Sequence, residues 1–220
     1  MKGLITKDYH IVIQQKRFLI LYAFVAVVLG FSMDPSFIAG YMPMVGMLLL
    51  LSTISYDHND NGFSFLMTMP VKPGDYAVAK YIFSIVGTVV IWGFSIVLQL
   101  ASLILQNKMG TLNLPELVLS DVMILPIFFI VLSFLIPIDI KYPPEKGRVI
   151  MAVVFGVSMV LVIAGKSLAE VAADAADFDI QRVFDKIESA GALFAVFAVS
   201  IIAISISMMT SIRIMQNKEF

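Results

Sequence analysis

The sequence predicts an all-α membrane protein, a single transmembrane domain over residues 1–220 built from six spans. Two observations carry this. Hydrophobic residues make up 60% of the chain, the mean hydropathy is +0.94 and only 14% of residues are charged, whereas a soluble domain carries about 25% charged residues. The apolar residues also gather into six runs of roughly the length, about 20 residues, that a 30 Å hydrocarbon core requires of a helix. In lipid the backbone must satisfy its own hydrogen bonds, so such runs are read as helices.

The chain opens with MKGLITKDYHIVIQQKR. Charge interrupts this stretch throughout and no small-residue cleavage site follows, so it is not read as a signal peptide. Ile5, Tyr9, Val12 and Ile13 recur at i, i+4, i+7 and i+8, with Thr6, His10 and Gln14 on another face. The pattern fits an amphipathic helix lying in the interface and turning sharply into the first span, or else a solvated leader. The spans are then expected at 18–33, 37–55, 76–105, 117–138, 149–164 and 190–212. The first and fifth are short. The third exceeds a bilayer's thickness, so part of it should project into water or tilt. Pro43, Pro126 and Pro137 fall inside spans, where neighbouring helices are expected to satisfy the carbonyls they free.

Orientation follows from lysine and arginine. With the N-terminus inside, eleven of the fifteen basic residues are cytoplasmic, and six spans return the C-terminus to the same side. The segment 166–189 is then external. Ile180, Val183, Phe184 and Ile187, after Asp179 as an N-cap, suggest short helices over the outer mouth with a solvated acidic face. The segment between spans two and three is cytoplasmic. DHNDNG supplies turn and capping residues, 63–69 can form about two helical turns, and Pro70 closes them. VKPGD reads as a turn, with Asp75 able to cap the third span. Phe63, Phe65, Leu66, Met67 and Met69 are costly to leave in water, so they lie against the bundle or enter a groove on another protein.

Several chemistries are excluded. Net charge is −1 and there is no cysteine, which argues against nucleic acid as a partner and against thiol chemistry or thiolate metal sites. His10 and His58 lack partners at metal spacing. Gly165-Lys166-Ser167 resembles the end of a phosphate-cradling loop, but Val160 stands where that loop needs glycine. Asp121 and Asp139 lie about 27 Å apart along a helix, too far for a catalytic dyad. No span carries a charge at its centre, which disfavours a proton- or sodium-driven carrier. Ser84, Thr88, Ser95, Gln99 and Ser102 fall on one side of the third span, with Trp92 among them. They line a cargo path or make polar contacts between helices.

Two stretches carry a family resemblance. MPVKPGDYAVAKY (69–81) is similar to the Leu-Pro-Val, polar turn, Tyr-Val, Lys-Tyr run of the membrane subunits of type-2 ABC exporters, with Met69 in place of leucine. IPIDIKYPPEKGR (136–148) is similar to that family's run between spans four and five, with Gly147 for the usual alanine and YPP as a local departure. The likeness, to the small single-domain bacterial group, covers essentially the whole chain. It implies that the segment after span two is a coupling helix docking in a groove of a separate cytosolic P-loop ATPase. The contact would comprise Asn61, Gly62, Phe63, Phe65, Leu66, Met67 and Met69, with Lys72 and Asp75 fixing the exit. A second contact would comprise Lys141, Tyr142, Glu145, Lys146 and Arg148. It further implies two ATPase copies carrying ATP and Mg, no cofactor on this chain, a second permease subunit, identical or related, and a bacterial plasma membrane. The expected function is export of amphipathic or peptide cargo. The alternatives are a non-transporting immunity or scaffold protein that sequesters a partner, and a secondary carrier.

Overall fold

A computed structural model describes residues 2–32, 35–58, 62–68, 71–106, 114–147, 149–150 and 190–218. Its main helices are α1 (Lys2–Gln14), α2 (Lys16–Ser32), α3 (Ser36–His58), α4 (Gly62–Thr68), α5 (Pro73–Leu105), α6 (Leu114–Lys141) and α7 (Ala190–Gln216). Four of them, α3, α5, α6 and α7, are long and apolar enough to cross a membrane. The 17-residue α2 meets α1 at a bend of 68°, and the pair taken as one broken span makes five. The expected fifth span and the external helices of 166–189 lie outside the described residues.

The bundle is built from two close pairs, α6 with α7 and α3 with α5, which α3 and α5 then join. Tyr76, Tyr81, Leu132, Ile136, Ile140 and Met215 are fully buried at the junction. On the far side of α3, Tyr22, Ala26, Ile38 and Met42 form a smaller core that holds α2, and the Tyr22 hydroxyl donates to the Met42 carbonyl.

Several polar contacts between these helices go to backbone carbonyls that their own helices leave without a donor. Pro137 has no N–H, so the carbonyl four residues earlier, that of Ser133, is freed. Ser207 of α7 donates its hydroxyl to that oxygen. With its proton so placed, Ser207 accepts from Tyr81 of α5 at 2.6 Å, and Tyr81 in turn accepts from Ser211 at 2.9 Å. A relay of hydroxyls therefore ties α5 and α7 to the proline break of α6. The last turn of a helix has the same need. Near the end of α2, the Gly30 carbonyl accepts from Ser102 at 2.8 Å and from Gln106 at 2.7 Å.

One local expectation is corrected. Asp75 does not cap the third span. Lys72 is the N-cap residue and makes no side-chain cap, and Pro73 opens the helix. Proline suits the first helical position because its missing N–H is one the helix leaves unpaired there. Asp75 instead sits in the first turn, where a carboxylate complements the positive end of the helix dipole.

Replacing Tyr81 with Phe removes the centre of the hydroxyl relay while keeping the ring. It is expected to lower stability by about 1 kcal/mol, read as a lower thermal midpoint in detergent. Ser207→Ala should give a similar or larger loss, because it strands the Ser133 carbonyl as well.

Candidate functional site

The site forms where the end of α3, the start of α5 and the ends of α6 and α7 come together around α4. Helix α4 has seven residues and is too short to be stable alone. It is held by one face. Phe63 is 6% exposed and Leu66 is 7% exposed, both within the main core, whereas Phe65 is 64% exposed. The Phe63 ring packs edge-on against His58 at 4.5 Å and against Tyr76 at 5.1 Å between centroids. On this same ring rests the ammonium of Lys218, 4.3 Å from the centroid, an attractive cation–π geometry. Partial burial pushes the Lys218 ammonium below the ordinary lysine pKa.

Lys218 also donates to the Ile140 carbonyl at 2.9 Å, and His58 Nε2 lies 2.7 Å from the Asp139 carbonyl oxygen. Both carbonyls belong to the last turn of α6, where acceptors lack partners. Phe63 is thus fixed to α3, to α5 and to the residue two past the end of α7, and His58 and Lys218 link it on to α6. Gly62 lets α4 begin this close to the end of α3: a Cβ there would lie 2.7 Å from the Asp57 carbonyl oxygen, a backbone atom.

Beneath α4 lies a cluster of four buried or half-buried charges. Asp8 comes from α1, Asp57 from α3 and Lys80 from α5, exposed by 0%, 6% and 1%, and Lys7 of α1 closes the group. Lys80 Nζ reaches Asp8 Oδ1 at 2.7 Å, Asp57 Oδ2 at 2.8 Å and Thr53 Oγ1 at 3.1 Å. Lys7 Nζ reaches Asp57 Oδ1 at 2.5 Å, and the Tyr76 hydroxyl donates to Asp57 Oδ2 at 2.8 Å. Two positive and two negative charges sum to zero, so the group sits in an apolar surround without a net charge to solvate. It has no nucleophile–base geometry; what it does is lock α1, α3 and α5 together directly behind α4.

The predicted residues distribute as follows. Gly62, Phe63, Phe65 and Leu66 belong to α4. Lys72 is exposed and Asp75 is half-buried at its exit. Asn61, Met69 and the side chain of Met67 lie outside the described residues. Of the second stretch, Lys141, Glu145 and Lys146 are exposed and Tyr142 is half-buried, with Lys141 Nζ 5.2 Å from the Tyr142 ring centroid; Arg148 is not among the described residues. His58 and Lys218 join this stretch's end of α6 to α4, so both proposed contacts lie at one end of the bundle. The α5 stripe is packed between helices: Ser84, Thr88, Ser95 and Gln99 are exposed by no more than 1%, and the Trp92 indole donates to the Asp121 carbonyl at 2.9 Å. Asp8, Asp57 and the central role of Lys80 escaped sequence reading. The available signal was charge at the edges of apolar runs, with Leu4 and Asp8 one turn apart on one helix face.

The architecture is one of long apolar helices able to cross a membrane, with a short helix pinned at one end and a charge lock behind it. A family model described as ABC-2 family transporter protein matches residues 3–216, and the chain belongs to that family. It is a multi-pass membrane component of an ABC-2 type transporter. Neither the curated proteins nor the solved structures gave a match.

Removing one member of a buried ion group costs about 3–5 kcal/mol, because the remaining charge is left uncompensated. Lys80→Met should therefore lower the thermal midpoint sharply, and adding Asp8→Asn should restore much of the loss by neutralising the stranded carboxylate. Gly62→Ala should leave the spans folded but loosen α4, seen as faster proteolysis between α3 and α5.

Proposed function

We propose that this chain is the export permease of an ATP-driven transporter whose ATPase is a separate P-loop subunit, and that α4 is where the two meet. The observation that carries the reading is the division of α4 into two faces. Phe63 and Leu66 are sunk in the bundle, while Phe65 projects 64% exposed from the same two turns. A bulky aromatic held in solvent by a helix that cannot rotate is the geometry of a docking knob, and aromatic anchors in partner grooves dominate binding energy. A push on Phe65 moves α4 as a body, and Phe63 and the charge lock pass the movement to α1, α3, α5, α6 and α7.

ATP and Mg belong on the partner in this reading, with no cofactor on this chain. Lys72 and Asp75 fix the exit of α4, and the 141–148 stretch supplies a second contact. Two ATPases and two permeases, identical or related, make the working assembly in a bacterial plasma membrane. The family resemblance points to amphipathic or peptide cargo. Its path runs along the α5 stripe of Ser84, Thr88, Trp92, Ser95 and Gln99, which must part from its present packing during transport.

The two faces of α4 give the test. Phe65→Glu should leave expression and thermal midpoint near wild type while abolishing co-purification of the ATPase and ATP-dependent export in vesicles. Leu66→Glu places a charge in the core and should destabilise the permease itself by about 3 kcal/mol or more. Normal co-purification and export by a folded Phe65→Glu variant would show that the knob docks nothing.

A further inference from the structure

We propose that the chain holds one anionic phospholipid in a groove between α1, α2, α3 and α5, with an acyl chain in the groove and the phosphate on Lys16 and Arg17. The groove has a volume of about 560 Å³ and is walled by Ile5, Val12, Leu19, Leu50, Val86 and Ile91 among others. Its few polar side chains are occupied or peripheral. The Thr6 hydroxyl donates to the Lys2 carbonyl at 3.0 Å and the Tyr22 hydroxyl to Met42, while Tyr9 is 57% exposed at the rim. The walls therefore offer hydrocarbon and almost no hydrogen-bonding capacity. An extended peptide segment would bring amide groups with nothing to satisfy them, at a penalty of several kcal/mol each in lipid. An acyl chain brings none.

The groove is open along one side. Ile82, Val86 and Val90, one turn apart on α5, line it and are 41%, 56% and 63% exposed. A chain can thus enter laterally from the bilayer. Charge selects the head group. Lys16 and Arg17 open α2 at the 68° bend, both exposed, and Lys16 lies one turn before Leu19, which lines the groove. Neither residue makes an ion pair among the described residues, where the salt bridges involve Lys7 and Lys80. They also stand at a helix N-terminus with no acidic residue in its first turn. Cations there oppose the helix dipole, and an anion beside them relieves the conflict. An anionic head group on basic residues at the level of a span's end is the expected electrostatic match.

The test uses the full chain, purified with a mixture of phosphatidylglycerol and phosphatidylcholine of matched acyl chains and weighed intact by native mass spectrometry. Wild type should retain one phosphatidylglycerol in preference to phosphatidylcholine. Val86→Trp, which obstructs the lateral opening of the groove, should lose both lipids at an unchanged thermal midpoint. If that variant does not fold, Ile82→Trp obstructs the same edge. The K16Q/R17Q double variant should keep one lipid but lose roughly twentyfold in preference for the anionic one at low salt. Equal retention of the two lipids by wild type, lipid retention by a folded groove-obstructed variant, or one-for-one displacement of lipid by an amphipathic peptide would each overturn the assignment.

Discussion

A lysine and two aspartates withdrawn from water, with a half-buried second lysine, constrain the end of the bundle that carries α4. A single buried charge is too costly to leave uncompensated, so Lys80 requires Asp8 and Asp57 within reach, and they require it. Asp8 reaches Lys80 only if α1 lies across the ends of α3 and α5. That position forces the sharp turn at Gln15 before α2 begins. Asp57 is the penultimate residue of α3, so its place in the cluster also fixes where α3 stops and α4 must start. The crossing of α1 over α3 and α5, and with it the bend before α2, goes with the geometry of one ammonium and two carboxylates.

The membrane helices handle their backbone with the same economy of partners. Side-chain groups, the hydroxyls of Ser102 and Ser207, the His58 ring and the Lys218 ammonium, are directed at carbonyls that their own helix leaves without a donor, at Gly30, Ser133, Asp139 and Ile140. This gives the polar residues of α5 and α7 a structural occupation in the closed packing described here. A polar stripe inside a bundle is therefore ambiguous when read as sequence: it is compatible with a conduit and equally with a set of fasteners. Ser102 is a fastener, holding the end of α2 through the Gly30 carbonyl.

Much of the architecture was legible because it depends on length and composition. The apolar runs of α2, α3, α5, α6 and α7 stand at or near their expected boundaries, and the two-turn helix before Pro70 falls at Gly62–Thr68. The apolar character of α4 predicted burial or docking. The structure assigns burial to Phe63 and Leu66 and exposure to Phe65, a division set by helical phase against neighbours that one sequence does not locate. The charge cluster was not legible, because Asp8, Asp57 and Lys80 are separated by dozens of residues and each taken singly resembles an ordinary interfacial charge. The start of α5 was misjudged because Asp75 has the chemistry of a cap, while Pro73 two residues earlier already fixes the backbone for helix.

The contact between Ser207 and the Ser133 carbonyl has an evolutionary corollary. The Ser133 carbonyl lacks its own helix's donor because residue 137 is proline. A relative with an ordinary amide at that position would supply the proton from within α6, and its α7 would be released from keeping a hydroxyl there. Positions 137 and 207 should therefore drift together across relatives, proline with serine or threonine, non-proline with small apolar residues, although seventy positions separate them in the chain.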